Sequence, residues 1–243
     1  MEDRPSLQSA GTGIAERAKA ILMQPKTEWP RVAGETTEPA KVLTGYAIPL
    51  IAIGPIASLI GSQLFPIGIK ASLSAALAAA IVSFVLAIVS LFLVSFVANF
   101  LSPKFGGKDS FPAAFRLVAY SMTAAWLAGI FGLLPALAIL AILGLYSFYL
   151  FYLGATPVLG VPQDKAAGYT VVTVVVAIVT YLIVAAVAAA ITSAFVVSGI
   201  AATTASADTA TVDMGEYGKV EINGDTATVT VDGQEVEVTV PQE

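Results

Sequence analysis

Long stretches of the chain carry no charged residue, and these stretches decide its predicted architecture. Asp, Glu, Lys and Arg are absent from residues 42–69, 71–103, 117–163 and 166–207. A membrane-spanning helix needs roughly 20 mostly apolar residues, because each residue rises about 1.5 Å through a hydrocarbon core of about 30 Å. None of the four runs shows the polar face that a helix of a soluble core presents at helical spacing. The pattern therefore predicts an all-α polytopic membrane protein.

The third charge-free run is long enough for two crossings. Its 47 residues would extend roughly 70 Å as a helix. Gly129, Gly132 and Pro135, in the string GIFGLLP, mark a turn within it. We therefore predict five spans, with kinks at Pro49 and Pro55 of the first, and a re-entrant hairpin in place of the third and fourth spans stays open. The predicted spans are residues 42–64, 73–101, 113–131, 135–153 and 169–200.

Residues 1–41 form a predicted N-terminal arm in front of this membrane domain of residues 42–200. Residues 1–12 are expected to be disordered, and residues 14–23 have the apolar side and the charged side of a short amphipathic helix, which Pro25 ends. Such a helix rests on the cytoplasmic membrane surface, where its bases meet anionic headgroups, or packs on its own loops. The sequence leaves both places open.

The end of the chain is a different kind of structure. Residues 201–209 are rich in Ala and Thr and are predicted to be a tether, and residues 210–243 are β-rich. Asn223-Gly224 and Asp232-Gly233 are two-residue hairpin turns that predict a three-stranded antiparallel meander. The predicted register pairs Val220 with Ala227, Ala227 with Val238, and Val229 with Val236. A sheet this small is marginally stable alone, so it packs against a further strand near residues 211–214, the membrane surface or a partner.

Charge adds an orientation to this architecture. Of the 12 Lys and Arg residues, only Lys70 and Lys219 fall on the side of the membrane opposite the arm. The excess of bases on one side predicts a cytoplasmic N-terminus and an extracytoplasmic tail, in an inner, or cytoplasmic, cell membrane. The tail is strongly acidic, with Lys219 as its single base. Nucleic acid is therefore an unfavourable partner, because phosphate binding needs clustered Lys and Arg.

Candidate chemistry is sparse. The chain has no Cys and no His, and the predicted spans contain no charged side chain apart from Arg116, which is expected to snorkel from a boundary position. No nucleophile has a base partner and no residue set would hold a metal or a cofactor. We therefore predict a protein that is not an enzyme, has no cofactor, and is not an ion-coupled carrier.

Three surface features are candidate contact sites. The loop PKFGGKDSF places two basic residues around flexible glycines, and a later loop adds one more basic residue. These loops would contact lipid headgroups or a partner, or they are ordinary cytoplasmic loops whose basic residues only set the orientation of the protein. The candidate residues are Lys104, Gly106, Gly107, Lys108 and Lys165. Small residues at four-residue spacing on the last span form a packing face, within the bundle or between copies: Ala186, Ala190, Ala194 and Ser198. Tyr146, Tyr149 and Tyr152 are typical of an interfacial aromatic belt, with a binding surface as the alternative.

Four strings in order resemble the Yip family of membrane proteins, in its bacterial branch. They are ILMQPKTEWPRV, with Pro25 and Trp29 at the family's positions, then PKFGGKDSF, RLVAYSMTAAWLAGI and YLFYLGATPVLGVPQDKA. The resemblance covers residues 20–200. Ala124-Ala125 before Trp126 departs from the family, whose members often have Pro there, and so does the β-rich tail, which the core family lacks.

The resemblance implies a five-span core with a cytoplasmic N-terminus and a non-enzymatic role. Eukaryotic members of the family act in membrane trafficking by binding Rab GTPases and one another. We therefore expect a membrane adaptor or scaffold, embedded in the lipid bilayer, that binds itself or another membrane protein, with the tail docking an extracytoplasmic partner. The alternative is a passive pore or carrier for a small neutral solute or lipid, which the Gly- and Pro-rich spans suggest.

Overall fold

Two helices build the N-terminal arm. The computed structural model describes residues 7–66, 72–205, 209–213, 219–223, 226–231 and 234–239. Within it, α1 (Leu7–Met23) is followed at once by α2 (Pro25–Gly34). Pro25 is the first residue of α2, where its missing N–H would be unpaired in any case. The expectation of disorder is therefore wrong for residues 7–12, which are helical, and residues 1–6 lie outside the described residues.

Five segments are long and apolar enough to cross a membrane, as the sequence predicted. They are span 1 (Pro39–Leu64), span 2 (Leu73–Phe105), span 3 (Phe111–Leu133), span 4 (Ile139–Leu159) and span 5 (Gln163–Ala190). Their α-helices are α3 (Pro39–Val42), α4 (Ile48–Ile51), α5 (Ile53–Leu64), α6 (Leu73–Leu101), α7 (Phe111–Ser121), α8 (Thr123–Ala128), α9 (Tyr146–Leu159) and α10 (Gln163–Ala205). The architecture is a helical membrane bundle with a small sheet after it.

Proline and glycine interrupt the helices of spans 1, 3 and 4. In span 1 a π-helical turn, Leu43–Ala47, joins α3 to α4, and α4 ends at Ile51, whose carbonyl would have accepted from the N–H that Pro55 lacks. Two 3₁₀ segments, Gly129–Leu133 and the 11-residue Pro135–Leu145, follow each other between α8 and α9, with Leu134 between them. The helix of span 1 is thus interrupted shortly before each of the two prolines at which kinks are predicted.

The last helix runs further than the sequence suggested. Helix α10 begins directly after Pro162 and continues through Ala205, so the predicted tether is wrong for residues 201–205. Alanine has the highest helix propensity of all residues, and a helix already formed adds residues without a new nucleation cost. Residues 206–208 lie outside the described residues.

Spans 1 and 3 approach each other through glycines. A Cβ added at Gly129 would lie 2.9 Å from the Cα of Gly54. About two turns further along span 1, a Cβ added at Gly61 would lie 2.6 Å from the carbonyl oxygens of both Gly132 and Leu133. Backbones can come this close only where no side chain intervenes. The tip of the span 3–4 hairpin therefore packs beside Gly61, near the far end of span 1.

We expect Gly61→Ala to destabilise the bundle by about 1–3 kcal/mol, the usual cost of overpacking, because its methyl group would overlap two backbone carbonyls. The matched control is Gly45→Ala in the same span, where an added Cβ meets no atom within 4 Å. The thermal midpoint of the detergent-solubilised protein, read by size-exclusion chromatography after heating, should fall for Gly61→Ala alone. Equal midpoints for the two variants would contradict the proposed close contact.

The tail forms an antiparallel meander in the order β1 (Thr209–Asp213), β2 (Lys219–Asn223), β3 (Thr226–Val231) and β4 (Gln234–Thr239). The strand that the sequence suggested near residues 211–214 is β1, the first of four. The predicted pairs Ala227–Val238 and Val229–Val236 are confirmed. The predicted pair Val220–Ala227 is wrong, because Val220 lies opposite Val229 and Ile222 opposite Ala227.

Candidate functional site

Trp29 anchors the N-terminal arm to the bundle. Its side chain is buried, with 1% of its surface exposed, and it lies against Gly154 of α9. A Cβ added at Gly154 would lie 2.9 Å from the Cδ2 and Cε2 atoms of the indole ring and would also overlap Leu117 of α7. Only glycine at this position admits the ring. The arm is therefore fixed by a contact between residues that lie far apart in the sequence.

Arg17 ties the two helices of the arm together. Its Nη1 lies 2.6 Å from Oε1 of the buried Glu28, and its Nη2 lies 2.5 Å from Oε1 of Glu35. Its guanidinium also stacks over the ring of Tyr120 in span 3, 5.3 Å from the centroid. Burial lowers the pKa of Arg17. Its interactions with Glu35, Tyr120 and Glu28 raise the pKa by more than burial lowers it, so the pKa lies above its ordinary value and the group stays charged.

Arg116 is buried beneath the arm and does not reach solvent, so the prediction that it snorkels is wrong. Only 6% of its surface is exposed, and its Nη1 donates a hydrogen bond of 3.0 Å to the carbonyl of Thr37. The reason is that α7 packs mainly against α6 and α9, with the arm on a further side, so that every residue from Ala113 to Ser121 is buried. A buried guanidinium needs acceptors, and the arm provides this one.

The polar contacts continue along span 3. The hydroxyl groups of Tyr46 in span 1 and Thr123 in span 3 share a hydrogen bond of 2.6 Å. The ring of Tyr46 also packs edge-on against Tyr120, with 4.8 Å between centroids. Polar side chains of the two spans thus satisfy each other inside the bundle and hold the arm-side end of span 3 in place.

Two loops meet at the same end of the bundle as the arm. The Lys108 N–H donates to the Leu159 carbonyl at 2.9 Å, and the Ser102 hydroxyl donates to the Lys108 carbonyl at 2.9 Å. Gly106 and Gly160 have positive φ angles of 85° and 68°, a left-handed conformation that favours glycine. A Cβ added at Gly107 would lie 2.8 Å from Val161 Cγ2. The predicted glycines therefore serve to join the two loops closely.

Two of the three predicted lysines, Lys104 and Lys108, project from this loop pair, and the third, Lys165, lies in the first turn of α10, which follows it. Lys104, Lys108 and Lys165 are exposed, and none of them forms an ion pair with any part of the chain that the structure describes. Lys104 Nζ lies over the ring of Phe100, 4.0 Å from its centroid. Asp109, between them, is engaged by the Asn99 amide at 2.8 Å. The loop pair presents ammonium groups that are available to an anionic ligand.

The comparison with known families fits this arrangement. The Yip1 domain matches residues 19–186, which is most of the chain and includes α2 with Trp29, the loop pair, spans 1 to 4 and most of span 5. The chain belongs to the Yip1 domain family. No curated protein and no solved structure matches the chain.

The boundaries of the Yip1 domain separate the candidate features. Trp29, Gly154 and the lysines lie within it, whereas the sheet lies outside. The predicted packing face on α10 crosses the boundary at Ala186. Ala186 and Ala190 are exposed and so are not covered within the described bundle, and the side chains of Ala194 and Ser198 lie outside the described part of the chain. The tyrosines that suggested an aromatic belt differ from one another, because Tyr146 and Tyr149 are exposed and Tyr152 is half-buried.

The sequence did not reveal the ion cluster of the N-terminal arm, which Arg17 forms with Glu28 and Glu35. Arg17 was seen only as part of a charged helix face, and Glu28 and Glu35 were given no role. The one available signal was the position of Glu28, which directly precedes Trp29 in a string that resembles the family. The glycine contacts of spans 1 and 3 were missed as well, since Gly129 and Gly132 were interpreted only as turn residues.

Proposed function

We propose that this Yip1-domain protein is a non-enzymatic membrane adaptor that binds another membrane protein or a second copy of itself. The observation that supports the proposal most directly is the ordered end of the bundle, where the Trp29 anchor and the Arg17 cluster hold the arm beside two joined loops. The lysines of those loops are exposed and unpaired in the described chain. A rigid surface with unused charge is suited to recognition, because little conformational entropy is lost when a partner binds it.

The adaptor has its arm and loop pair in the cytoplasm and its tail outside, in an inner, or cytoplasmic, cell membrane. This orientation is supported by the distribution of bases, since the arm, Lys104, Lys108 and Lys165 belong to one end of the bundle and only Lys70 and Lys219 to the other. The partner of the loop pair is an acidic protein segment or an anionic headgroup. The acidic sheet docks a separate, extracytoplasmic partner.

Affinity purification from the native membrane after crosslinking tests both parts of this proposal. The reagents are a pair of photoactivated crosslinkers that insert into any side chain, one that permeates membranes and one that does not, applied to intact cells. Replacing lysines therefore removes no obligatory reaction site. A near-stoichiometric partner should be recovered with the permeant reagent, and its yield should fall at least several-fold in the triple variant Lys104→Gln, Lys108→Gln and Lys165→Gln. Recovery with the impermeant reagent should be restricted to partners of the tail.

The matched control replaces Lys26 and Lys41 with Gln. Both are exposed lysines of the arm side that lie outside the loop pair, so partner recovery should stay at the wild-type level. Equal losses in the two variants would show that total charge matters and not the loop pair. Recovery of the protein alone would contradict the adaptor and favour the pore or carrier, which vesicle flux measurements would then examine.

A further inference from the structure

An apolar cavity of about 490 Å³ opens between α1 and the bundle. Ala18 and Leu22 of α1 form one wall, and Leu50 of span 1 and Leu127 of span 3 form the other. The Tyr146 hydroxyl donates to the Leu22 carbonyl at 3.1 Å and so holds the end of α1 against span 4. A volume of this size falls within the range of about 300–1,000 Å³ that is usual for sites of small ligands.

The depth of this cavity places it among acyl chains. Leu50 lies 11 residues after the start of span 1, about 17 Å along a helix, and Leu127 lies 16 residues after the start of span 3, about 24 Å. Span 1, with 26 residues, is about 39 Å long and exceeds the hydrocarbon core of about 30 Å by only a few ångströms at each end. Leu50 therefore lies about 12 Å into the hydrocarbon core, in the leaflet on the arm's side, and Leu127 lies beyond the midplane, which is about 15 Å deep.

One charged residue lines this apolar cavity. Lys19 of α1 is exposed and forms no ion pair with the described part of the chain, whereas Arg17, two residues before it, forms ion pairs with Glu28 and Glu35. Glu16, the other charged group nearby on α1, is also exposed and is not paired with Lys19. A lysine can extend along an apolar surface and place its ammonium at headgroup level.

We propose that this cavity binds an anionic phospholipid, with an acyl chain between α1 and spans 1 and 3 and the phosphate at Lys19. The apolar walls fit the chain, and the single unpaired cation fits the charge of the headgroup. In this arrangement the lipid fills the gap between the arm and the bundle, so the arm is held partly by protein contacts and partly by lipid.

Quenching by brominated lipids tests the proposal on the full-length protein. Trp126 adjoins Leu127 in the chain, and the only other tryptophan is the buried Trp29. In phosphatidylcholine vesicles, phosphatidylglycerol with brominated acyl chains should quench the fluorescence at a lower mole fraction than brominated phosphatidylcholine does. A contribution of about 1 kcal/mol per lysine at an anionic membrane surface corresponds to a preference of about fivefold.

Three variants distinguish the cavity from bulk lipid. Lys19→Gln should reduce the preference to near one, while Lys26→Gln, a change at an exposed lysine outside the cavity, should leave it unchanged. Ala15→Leu, at an exposed residue that lines the cavity, should raise the mole fraction needed for both lipids. The proposal is overturned if Lys19→Gln keeps the preference or the wild type has none. A second outcome also overturns the proposal: quenching falls as the protein-to-lipid ratio of the vesicles rises, and α1 crosslinks to a second copy of the protein. The cavity would then be occupied by another chain and not by a lipid.

Discussion

Trp29→Ala should release the N-terminal arm and leave the five spans assembled. The indole ring is buried and fits a surface that only Gly154 leaves open, and truncation of a buried Trp to Ala usually costs about 3–5 kcal/mol. Because the ring joins the arm to α7 and α9, this loss should appear as local opening of the arm more than as unfolding of the bundle. Trypsin added to membranes that expose the arm side should then cut after Lys19 and Lys26 at least a hundredfold faster, since each 1.4 kcal/mol is about tenfold.

Trp126→Ala provides the matched control for this experiment. Trp126 is the other tryptophan of the chain and lies half-buried in span 3, at the edge of the same core. Its removal should lower the thermal midpoint of the bundle while trypsin cuts the arm at the wild-type rate. If both variants expose the arm equally, or if neither does, Trp29 is not its anchor.

The spans could be predicted from the sequence because their physical cause is local. A charge inside the hydrocarbon core is costly wherever it lies, so the four charge-free runs, with the third divided at its Gly- and Pro-containing turn, predicted five segments, and the structure has five. The ends differ more. Span 5 was predicted to begin at residue 169 and begins at Gln163, because a helix ends where its capping and packing end and not where hydropathy falls.

The register of the sheet was predicted from its turn residues, and the prediction is right for one hairpin and wrong for the other. The Asp232-Gly233 turn gave the right register for β3 and β4, with Val231 opposite Gln234. For β2 and β3 the loop lies between Asn223 and Thr226, one residue later than predicted. A shift of the turn by one residue changes the pairing by two, so each strand keeps its faces. The observed register pairs Ile222 with Ala227 and Val220 with Val229, two apolar pairs in place of one.

The arm could not be placed from the sequence because its contacts are not local. Arg17 meets Tyr120, Trp29 meets Gly154 and Thr37 meets Arg116. No periodicity along the chain indicates which of these distant segments touch. The family resemblance named the strings that hold Trp29 and Gly154 without saying that they are in contact. The burial of Arg116 depends on packing between distant segments as well. The sequence alone therefore places it at the membrane boundary and not inside the bundle.

Arg17→Met should open the arm by a different route. Glu28 is 5% exposed, and without Arg17 its remaining cation is Arg31 at 3.5 Å, with a side chain that is 73% exposed. Breaking a buried ion pair from one side usually costs about 3–5 kcal/mol, because the other charge stays buried and unpaired. With Arg31 as a weak substitute we expect the lower end of that range, about 3 kcal/mol, or amide exchange in α1 and α2 more than a hundredfold faster. Hydrogen exchange read by mass spectrometry is the suitable measurement, since the substitution removes a trypsin site.

A second substitution separates the charge from the packing in this prediction. If the penalty comes from a stranded carboxylate, Glu28→Gln added to Arg17→Met should recover part of the lost protection, although it removes one more polar contact. Arg31→Met, which removes the exposed partner of Glu28, should change protection by no more than about 1 kcal/mol, as is usual for exposed pairs. A double variant less protected than Arg17→Met would mean that Arg17 acts by packing against Tyr120 and not by neutralising Glu28. The arm would then be held by an aromatic contact at each of its two helices, and its attachment should be insensitive to salt.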